Sequence, residues 1–328
     1  MREDESYARI RPNPRGSRPR SKRRPTHDDA VPGWVTAVDR GRLTVEVDGK
    51  PPVTAVKARE IGRRGIVVGD RVRLVGNVSG DTGTLARIVA IEERTGVLRR
   101  SADDSDPNER VIVANADRLG IVVSLADPEP NPRLIDRCLV AALDAGLAPL
   151  LVLTKNDLAD PEPLTAAYRP LGVEVLSTGG PDSILGLEAL RTALADSVTV
   201  LVGPSGVGKS TLVNALVPDA DRATGDVNAV TGKGRHTSSS AVALRLPGSG
   251  WIVDTPGLRT FGLGHVQPEH VLAAFPEIAE AATSCPRRCP HRGGGDGCVL
   301  DGWADTDAKR LRLESLRRLL EGIGAESL

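Results

Sequence analysis

Gly203-Pro204-Ser205-Gly206-Val207-Gly208-Lys209-Ser210-Thr211 is the stretch whose reading decides the fold. An apolar run, Val198 to Val202, precedes it, and a helix-like segment, Leu212 to Leu216, follows. Strand, glycine loop and helix with G-x-x-x-x-G-K-[ST] spacing describe a P-loop. Glycines let the backbone curl so that successive N–H groups face phosphate oxygens, and the helix N-terminus adds partial positive charge. In such a loop Lys209 reaches the β- and γ-phosphates and Ser210 ligates Mg²⁺. The chain reads as a binder of a nucleoside triphosphate.

Around this loop, buried-strand runs alternate with helical stretches, the pattern of a doubly wound α/β domain. Strands are expected at Leu119 to Leu125, Ala148 to Leu153 and Val173 to Leu176, with helices at Pro132 to Ala145 and from about Leu185 to Ala195. Cys138, inside the first helix, reads as a small buried side chain rather than a reactive thiol. Two motifs bear on which nucleotide is held. Thr154-Lys155-Asn156-Asp157 ends a strand at the sheet edge where such folds bind ligands. The Asp157 carboxylate can accept from the two N–H donors that guanine offers and adenine lacks, and the Lys155 stem can cover the purine face. Asp254-Thr255-Pro256-Gly257 ends the apolar strand Trp251 to Val253; Asp254 would hold Mg²⁺ through water and the Gly257 N–H would touch the γ-phosphate. Between lies Thr224 to Ser240, rich in Gly, Ser and Thr, where Thr237 can complete the Mg²⁺ shell.

Before this domain, residues 31–97 turn short and alternating, with hairpin signals at Asp39 to Gly41 and Asp48-Gly49. About five strands in about 65 residues is the scale of an OB-fold barrel. Trp34 is the aromatic available there for base stacking, so RNA contact would fall to Arg and backbone groups reading shape; a barrel that only packs is the alternative. Residues 98–110 are polar and charged and are expected to be a linker. Residues 1–30 hold eight basic and no acidic side chains between Arg9 and Arg24. They are expected to be a disordered arm on nucleic-acid phosphates or, alternatively, a solvated tail. The first 100 residues carry net charge +9 and the other 228 carry −9, so the zero total hides a basic end suited to a polyanion.

Past the α/β domain, Cys285-x₃-Cys289-x-His291-x₆-Cys298 gathers three thiols and an imidazole within 14 residues. Three sulfurs and one nitrogen at short spacing suit one tetrahedral Zn²⁺ of the closed, structural type. Free thiols without metal are the alternative. Asp305 to Ile323 follows as an amphipathic helix with Leu311, Leu316, Leu319, Leu320 and Ile323 on one face. Its Lys309, Arg310, Arg312, Arg317 and Arg318 are expected either to meet RNA or to be simply solvated. No apolar run spans a bilayer and no apolar leader stands at the N-terminus, so a cytoplasmic protein without a membrane partner is expected. With seven aromatic residues in 328, Ala, Val, Leu and Ile must build the core.

The motif set resembles the guanine-nucleotide signatures of GTPases in a rotated order, with Thr-Lys-Asn-Asp and Ser177-Thr178 before the P-loop rather than after it. The chain thus looks like a circularly permuted GTPase. With a barrel before and a Cys/His cluster after, residues 31–323 resemble the ribosome small-subunit-dependent GTPase A family. The resemblance implies a multidomain fold: an OB-fold β-barrel (31–97), a circularly permuted α/β P-loop GTPase domain (111–265) and a small zinc-binding α-helical domain (266–328). It implies GTP hydrolysis to GDP in late 30S maturation, stimulated by the small subunit, with 16S rRNA as a contact. GTP/GDP, Mg²⁺ and one Zn²⁺ are the implied cofactors, and a monomer is expected.

By motif position the resemblance gives the first switch as Gly234 to Thr237 and the second as Asp254 to Gly257. Guanine recognition falls on Thr154, Lys155 and Asp157, with Ser177-Thr178 in support. The family spacing in the cysteine cluster has four and five intervening residues where this chain has three and six. Leu258 stands where a Ras-like enzyme has its water-orienting Gln, and His236 is the expected replacement, an imidazole able to accept from water near neutral pH. A nucleic-acid-binding module with a non-hydrolysing nucleotide sensor, and a P-loop ATPase or kinase, are the competing readings. Asp157 argues against the last.

Overall fold

The structure, a computed structural model, describes residues 27–62, 65–100, 110–180, 185–218, 241–255, 266–293 and 297–324. Strands β1 (Val31–Asp39), β2 (Arg42–Glu46), β3 (Val53–Lys57), β4 (Arg71–Gly76) and β5 (Ala86–Ile91) form the first unit. They pair in the order β1-β2-β3-β5-β4, and β4 returns to β1 in antiparallel register, Val31↔Leu74 to Trp34↔Arg71. That closure makes a five-stranded barrel and removes the free edges of the sheet. Alternate residues point inward, as the two-residue period of a strand requires: Val35, Leu43, Val45, Val53, Ala55, Val72, Leu74 and Ile88 fill the barrel.

The expected linker is ordered at both ends. β6 (Val97–Arg100) and β7 (Arg110–Ala114) pair antiparallel, and Leu98 and Val113 are fully buried. The polar character of 98–110 is that of a hairpin's connection, since residues 101–109 join the two strands; a linker reading overlooked the apolar residues Val97, Leu98, Val111 and Val113 on either side.

The α/β part of the same continuous sheet runs β10-β9-β8-β11-β13-β12 and joins the barrel at β1. Here β8 is Arg118–Ser124, β9 Ala148–Thr154, β10 Glu174–Ser177, β11 Val198–Val202, β12 Val242–Arg245 and β13 Trp251–Asp254. All neighbours are parallel except β12, which is antiparallel to β13. Buried on both faces, these strands are near-continuous apolar runs. Helices α3 (Leu187–Leu194) and α4 (Lys209–Leu216) cover one face through Leu190, Leu194, Leu212, Val213 and Leu216. Helix α1 (Pro132–Asp144) covers the other with Ile135, Cys138 and Leu139. Asn131 caps α1 by accepting from Leu134 N, and Pro132 takes the first-turn position where its missing N–H costs nothing. Helix α2 (Glu162–Tyr168) follows β9.

The C-terminal unit is helical: α5 (Pro268–Ala273), α6 (Pro276–Ala282), α7 (Leu300–Trp303) and α8 (Asp307–Gly324). It joins the core of α1 through Leu313, Leu316, Leu319 and Leu320. Leu311, expected on the buried face, is 53% exposed, and Leu313 is buried in its place. Helical spacing explains this: Leu313 precedes Leu316 and Leu320 by whole turns and lines up with them, whereas Leu311, two residues earlier, falls on the other side of the helix.

The five cations of α8 are all engaged within the chain. Lys309 pairs with Asp305, Arg310 with Asp307, Arg312 with Glu277, Arg317 with Asp301 and Arg318 with Asp136. Arg312, Arg317 and Arg318 fasten the helix to its neighbours, while Lys309 and Arg310 stay exposed in pairs within their own turn.

Several contacts join barrel and α/β sheet. Ala37 of β1 pairs with Val242 of β12, and the Trp34 and Trp251 rings lie 4.6 Å apart between centroids. Trp34 is therefore a packing residue of this junction and not a free stacking platform. Asp70, fully buried, accepts from Arg94 Nε (2.7 Å) and Nη2 (2.8 Å) and from Val67 N (2.8 Å). Asn115 at the end of β7 donates to Gly69 O (2.8 Å) and accepts from Thr95 N (2.9 Å), so the same loop is tied to the α/β unit. Removing one partner of a buried ion pair costs about 3–5 kcal/mol, against at most about 1 for an exposed pair. Asp70→Ala should lower the urea unfolding free energy by about 3 kcal/mol. Glu92→Ala, which breaks the exposed pair with Arg73, should cost under about 1 kcal/mol in the same titration.

Candidate nucleotide site and cysteine cluster

From β8 the chain proceeds outward to β9 and β10; β11 then starts afresh on the other side of β8, followed by β13. The crevice outside the carboxyl ends of β8 and β11 is where an open α/β sheet takes its ligand. Every described part of the expected nucleotide site lies along that edge.

The P-loop, Gly203 to Gly208, leaves β11 and enters α4 at Lys209. Gly206 and Gly208 hold φ of +84° and +88°, a region open to glycine at little cost, and they turn the backbone into the helix. Ser205, Gly206, Ser210 and Thr211 are exposed, while Pro204, Gly208 and Lys209 are half-buried and Val207 is buried beneath them. Lys209 Nζ donates to Asp254 Oδ1 (2.8 Å) and to Thr255 O (3.3 Å). The register Leu201↔Asp254 between β11 and β13 brings these two together. Thr255 Oγ1, buried, donates to Leu201 O (2.8 Å) and locks the start of that second motif to the P-loop strand.

Parallel pairing of β8 with β9 carries Thr154 to Asp157 to the same edge. Thr154 is buried and donates to Val207 O (2.5 Å). Its hydroxyl is thus a tether between the Thr154–Asp157 segment and the P-loop. Lys155, with φ of +60°, donates to Asp127 O from the loop after β8. Asn156 Nδ2 reaches Ser177 Oγ (3.4 Å), Asn156 N donates to Thr178 O (3.1 Å), and Gly180 N donates to Asp157 Oδ1 (2.9 Å). The two loops of the expected base site are therefore laced together with one carboxylate at their junction. His236, Thr237, Gly257 and Leu258 lie outside the described residues.

Two features could not be read from motif spacing. The loop after β8 enters the site only because β8 pairs with both β9 and β11. Beside it, Val123, Leu134, Ile135, Cys138 and Val207 line an apolar cavity of about 290 Å³ under Pro204 and Ser205. Burial pushes the Cys138 thiol up to about 12 despite the nearby Arg137, which keeps it protonated and inert as expected.

In the C-terminal unit one ligand atom each from Cys285, Cys289, His291 and Cys298 lies within 4.8 Å of the others. Backbone turns with positive φ at Arg288 (+63°) and His291 (+56°) wrap the chain around this point. His291 Nδ1 is buried with no hydrogen-bond partner among the described residues, the condition of a nitrogen reserved for a metal. Burial first, then the Arg317 charge, holds the His291 pKa below its usual value, so the imidazole is the neutral form that ligates. Donor types, number and closeness fit a structural Zn²⁺.

The chain matches the family model described as RsgA GTPase over residues 91–264. It is 38% identical over 269 residues to the small ribosomal subunit biogenesis GTPase RsgA of Pseudomonas syringae pv. syringae, covering 80% of this chain and 76% of that one. Against the protein of the same name from Pseudomonas aeruginosa it is 41% identical over 216 residues, 64% of this chain and 63% of the relative. In fold it resembles the crystal structure of YjeQ from Thermotoga maritima, with TM-score 0.65, 24% identity, and 89% of this chain and 99% of that chain covered. It also resembles YloQ, a circularly permuted GTPase, with TM-score 0.65 and 22% identity over 93% of this chain and 99% of that one.

Two charge-assisted hydrogen bonds to a carboxylate are together worth at least about 3 kcal/mol, a factor of about 100. Asp157→Asn should weaken GDP binding about 100-fold in a fluorescent-nucleotide titration. The same variant should gain affinity for xanthosine diphosphate, whose second carbonyl an amide N–H can meet.

Proposed function

The chain belongs to the RsgA GTPase family, and on that premise we propose that it binds the small ribosomal subunit and hydrolyses GTP to GDP in the late maturation of that subunit. The observation carrying the reading is the convergence at one sheet edge of a P-loop, an Asp254–Lys209 pair and a guanine-type carboxylate, Asp157. A phosphate-binding loop alone would suit an ATPase as well.

The parts divide the work as follows. Backbone N–H groups of Gly203 to Thr211 and the α4 N-terminus hold the phosphates, and Lys209 exchanges its Asp254 partner for the β- and γ-phosphate oxygens. Ser210, Asp254 and Thr237 would hold Mg²⁺, which would supply positive charge to offset that of the phosphate oxygens. Asp157 selects guanine, Lys155 covers the base, and Thr154, Asn156 and Ser177 fix the geometry of that loop. Gly257 contacts the γ-phosphate and His236 orients the attacking water. The Cys285, Cys289, His291 and Cys298 set holds one Zn²⁺ and shapes the C-terminal unit.

Subunit contact is assigned to 16S rRNA through the basic barrel end and the arm at 1–30, and the protein acts as a cytoplasmic monomer. No helix among the described residues is long and apolar enough to cross a membrane.

General-base or water-positioning groups contribute about 10²–10⁴-fold to a rate. His236→Ala should lower small-subunit-stimulated GTP hydrolysis about 100-fold while leaving GDP affinity unchanged; hydrolysis at the wild-type rate would remove His236 from this role. Subunit binding, followed by co-sedimentation, should weaken steeply with added salt, because phosphate contacts release counterions. A flat salt dependence would contradict the rRNA contact.

A further inference from the structure

Arg317 on α8 stands apart from the other cations of that helix. Lys309 and Arg310 pair with carboxylates of their own turn, whereas Arg312 and Arg318 reach across to Glu277 and to Asp136 of α1. Arg317 instead faces the cysteine cluster. Its Nη2 is 3.9 Å from Cys298 Sγ and 2.6 Å from Asp301 Oδ1, and its Nε donates to His291 O (3.2 Å). Gly293 lies flat against the guanidinium: a Cβ there would come within 3.1–3.3 Å of its atoms, and φ is +82°. The guanidinium is half-buried, with its side chain 18% exposed.

We infer that Arg317 is the positioning residue of the metal site, holding the loop that carries His291 and Cys298 and offsetting the charge of the ligand set. The inference rests on that set holding Zn²⁺. Three thiolates, a neutral imidazole and a divalent cation sum to one negative charge at a half-buried site, where partial desolvation favours a compensating cation. A guanidinium one hydrogen bond from a ligand sulfur supplies the opposite charge and a charge-assisted N–H···S contact. The same fork grips the carbonyl of the ligand His291, so the loop and the sulfur are fixed by one planar group. Asp301, three residues beyond Cys298, aims that fork. The next residue, Arg318, is bonded to Asp136 on α1. Consecutive arginines of α8 thus bind the metal loop on one side and the nucleotide domain on the other.

Outer-shell partners of this kind change metal affinity by about 10–100-fold. The experiment first measures zinc content of freshly purified wild-type protein, then equilibrium zinc transfer to a chromophoric chelator for wild type, Arg317→Met, Arg317→Lys and Arg312→Met. Wild type should carry about one equivalent of zinc; less than half an equivalent would overturn the metal site and this inference with it. With the metal confirmed, Arg317→Met should lose zinc about 10–100-fold more readily, and Arg317→Lys, which keeps charge but not the fork, should fall between. Arg312→Met loosens the helix without touching the cluster and should match wild type. In the Co²⁺-substituted protein the sulfur-to-cobalt charge-transfer band should shift in Arg317→Met and stay in place in Arg312→Met. Equal zinc affinity in wild type and Arg317→Met, or an equal loss in Arg312→Met, would reduce Arg317 to a residue of helix docking.

Discussion

The pairing of β11 between β8 and β13 is the constraint on which the rest of the molecule depends. On one side, the register Val202↔Ile121 sets the P-loop beside the loop that follows β8. On the other, Leu201↔Asp254 sets Lys209 against its carboxylate. The β8–β9 ladder then carries the guanine loop to the same edge, where the Thr154 hydroxyl bonds the P-loop carbonyl. A slip of one residue would turn every side chain of the strand to the other face. Both faces are covered, with Val200 and Val202 packed in one apolar cluster and Leu201 in the other, so such a slip would set each side chain against the layer shaped for its neighbour.

The rotated chain order gives this edge neighbours that an unrotated GTPase lacks. β12 is flanked by β13 and by barrel strand β1, and Val242 is register partner to both Asp254 and Ala37. The barrel is thereby an extension of the nucleotide sheet. On the opposite face α1 lines the cavity under the P-loop with Leu134, Ile135 and Cys138 and meets α8 through Asp136. Both flanking units consequently touch elements one layer from the phosphate site.

Much of this was legible in the chain because the signals were local. Glycine spacing, a strand before and a helix after suffice for a P-loop, and four soft ligands within 14 residues suffice for a metal cluster. Resemblance to a known family added the rotated order. What escaped was set by tertiary pairing. The partners of Leu98 and Val113 lie across a polar connection, so a hairpin resembled a linker. Trp34 reads as a surface aromatic until Trp251, more than 200 residues on, is brought against it. Arg312 and Arg318 of α8 resemble part of a nucleic-acid face because their carboxylates, Glu277 and Asp136, are distant in sequence. Thr154 was read as a base contact because its motif position suggests one; only the fold supplies the carbonyl that it bonds.

Turnover is the measurement that tests the central claim most directly: GTP and ATP hydrolysis by the full chain, each with and without purified small ribosomal subunits. The account predicts slow GTP hydrolysis alone, strong stimulation of GTP hydrolysis by the subunit, and negligible ATP hydrolysis in either case. GTP turnover indifferent to the subunit, or a preference for ATP, would contradict it.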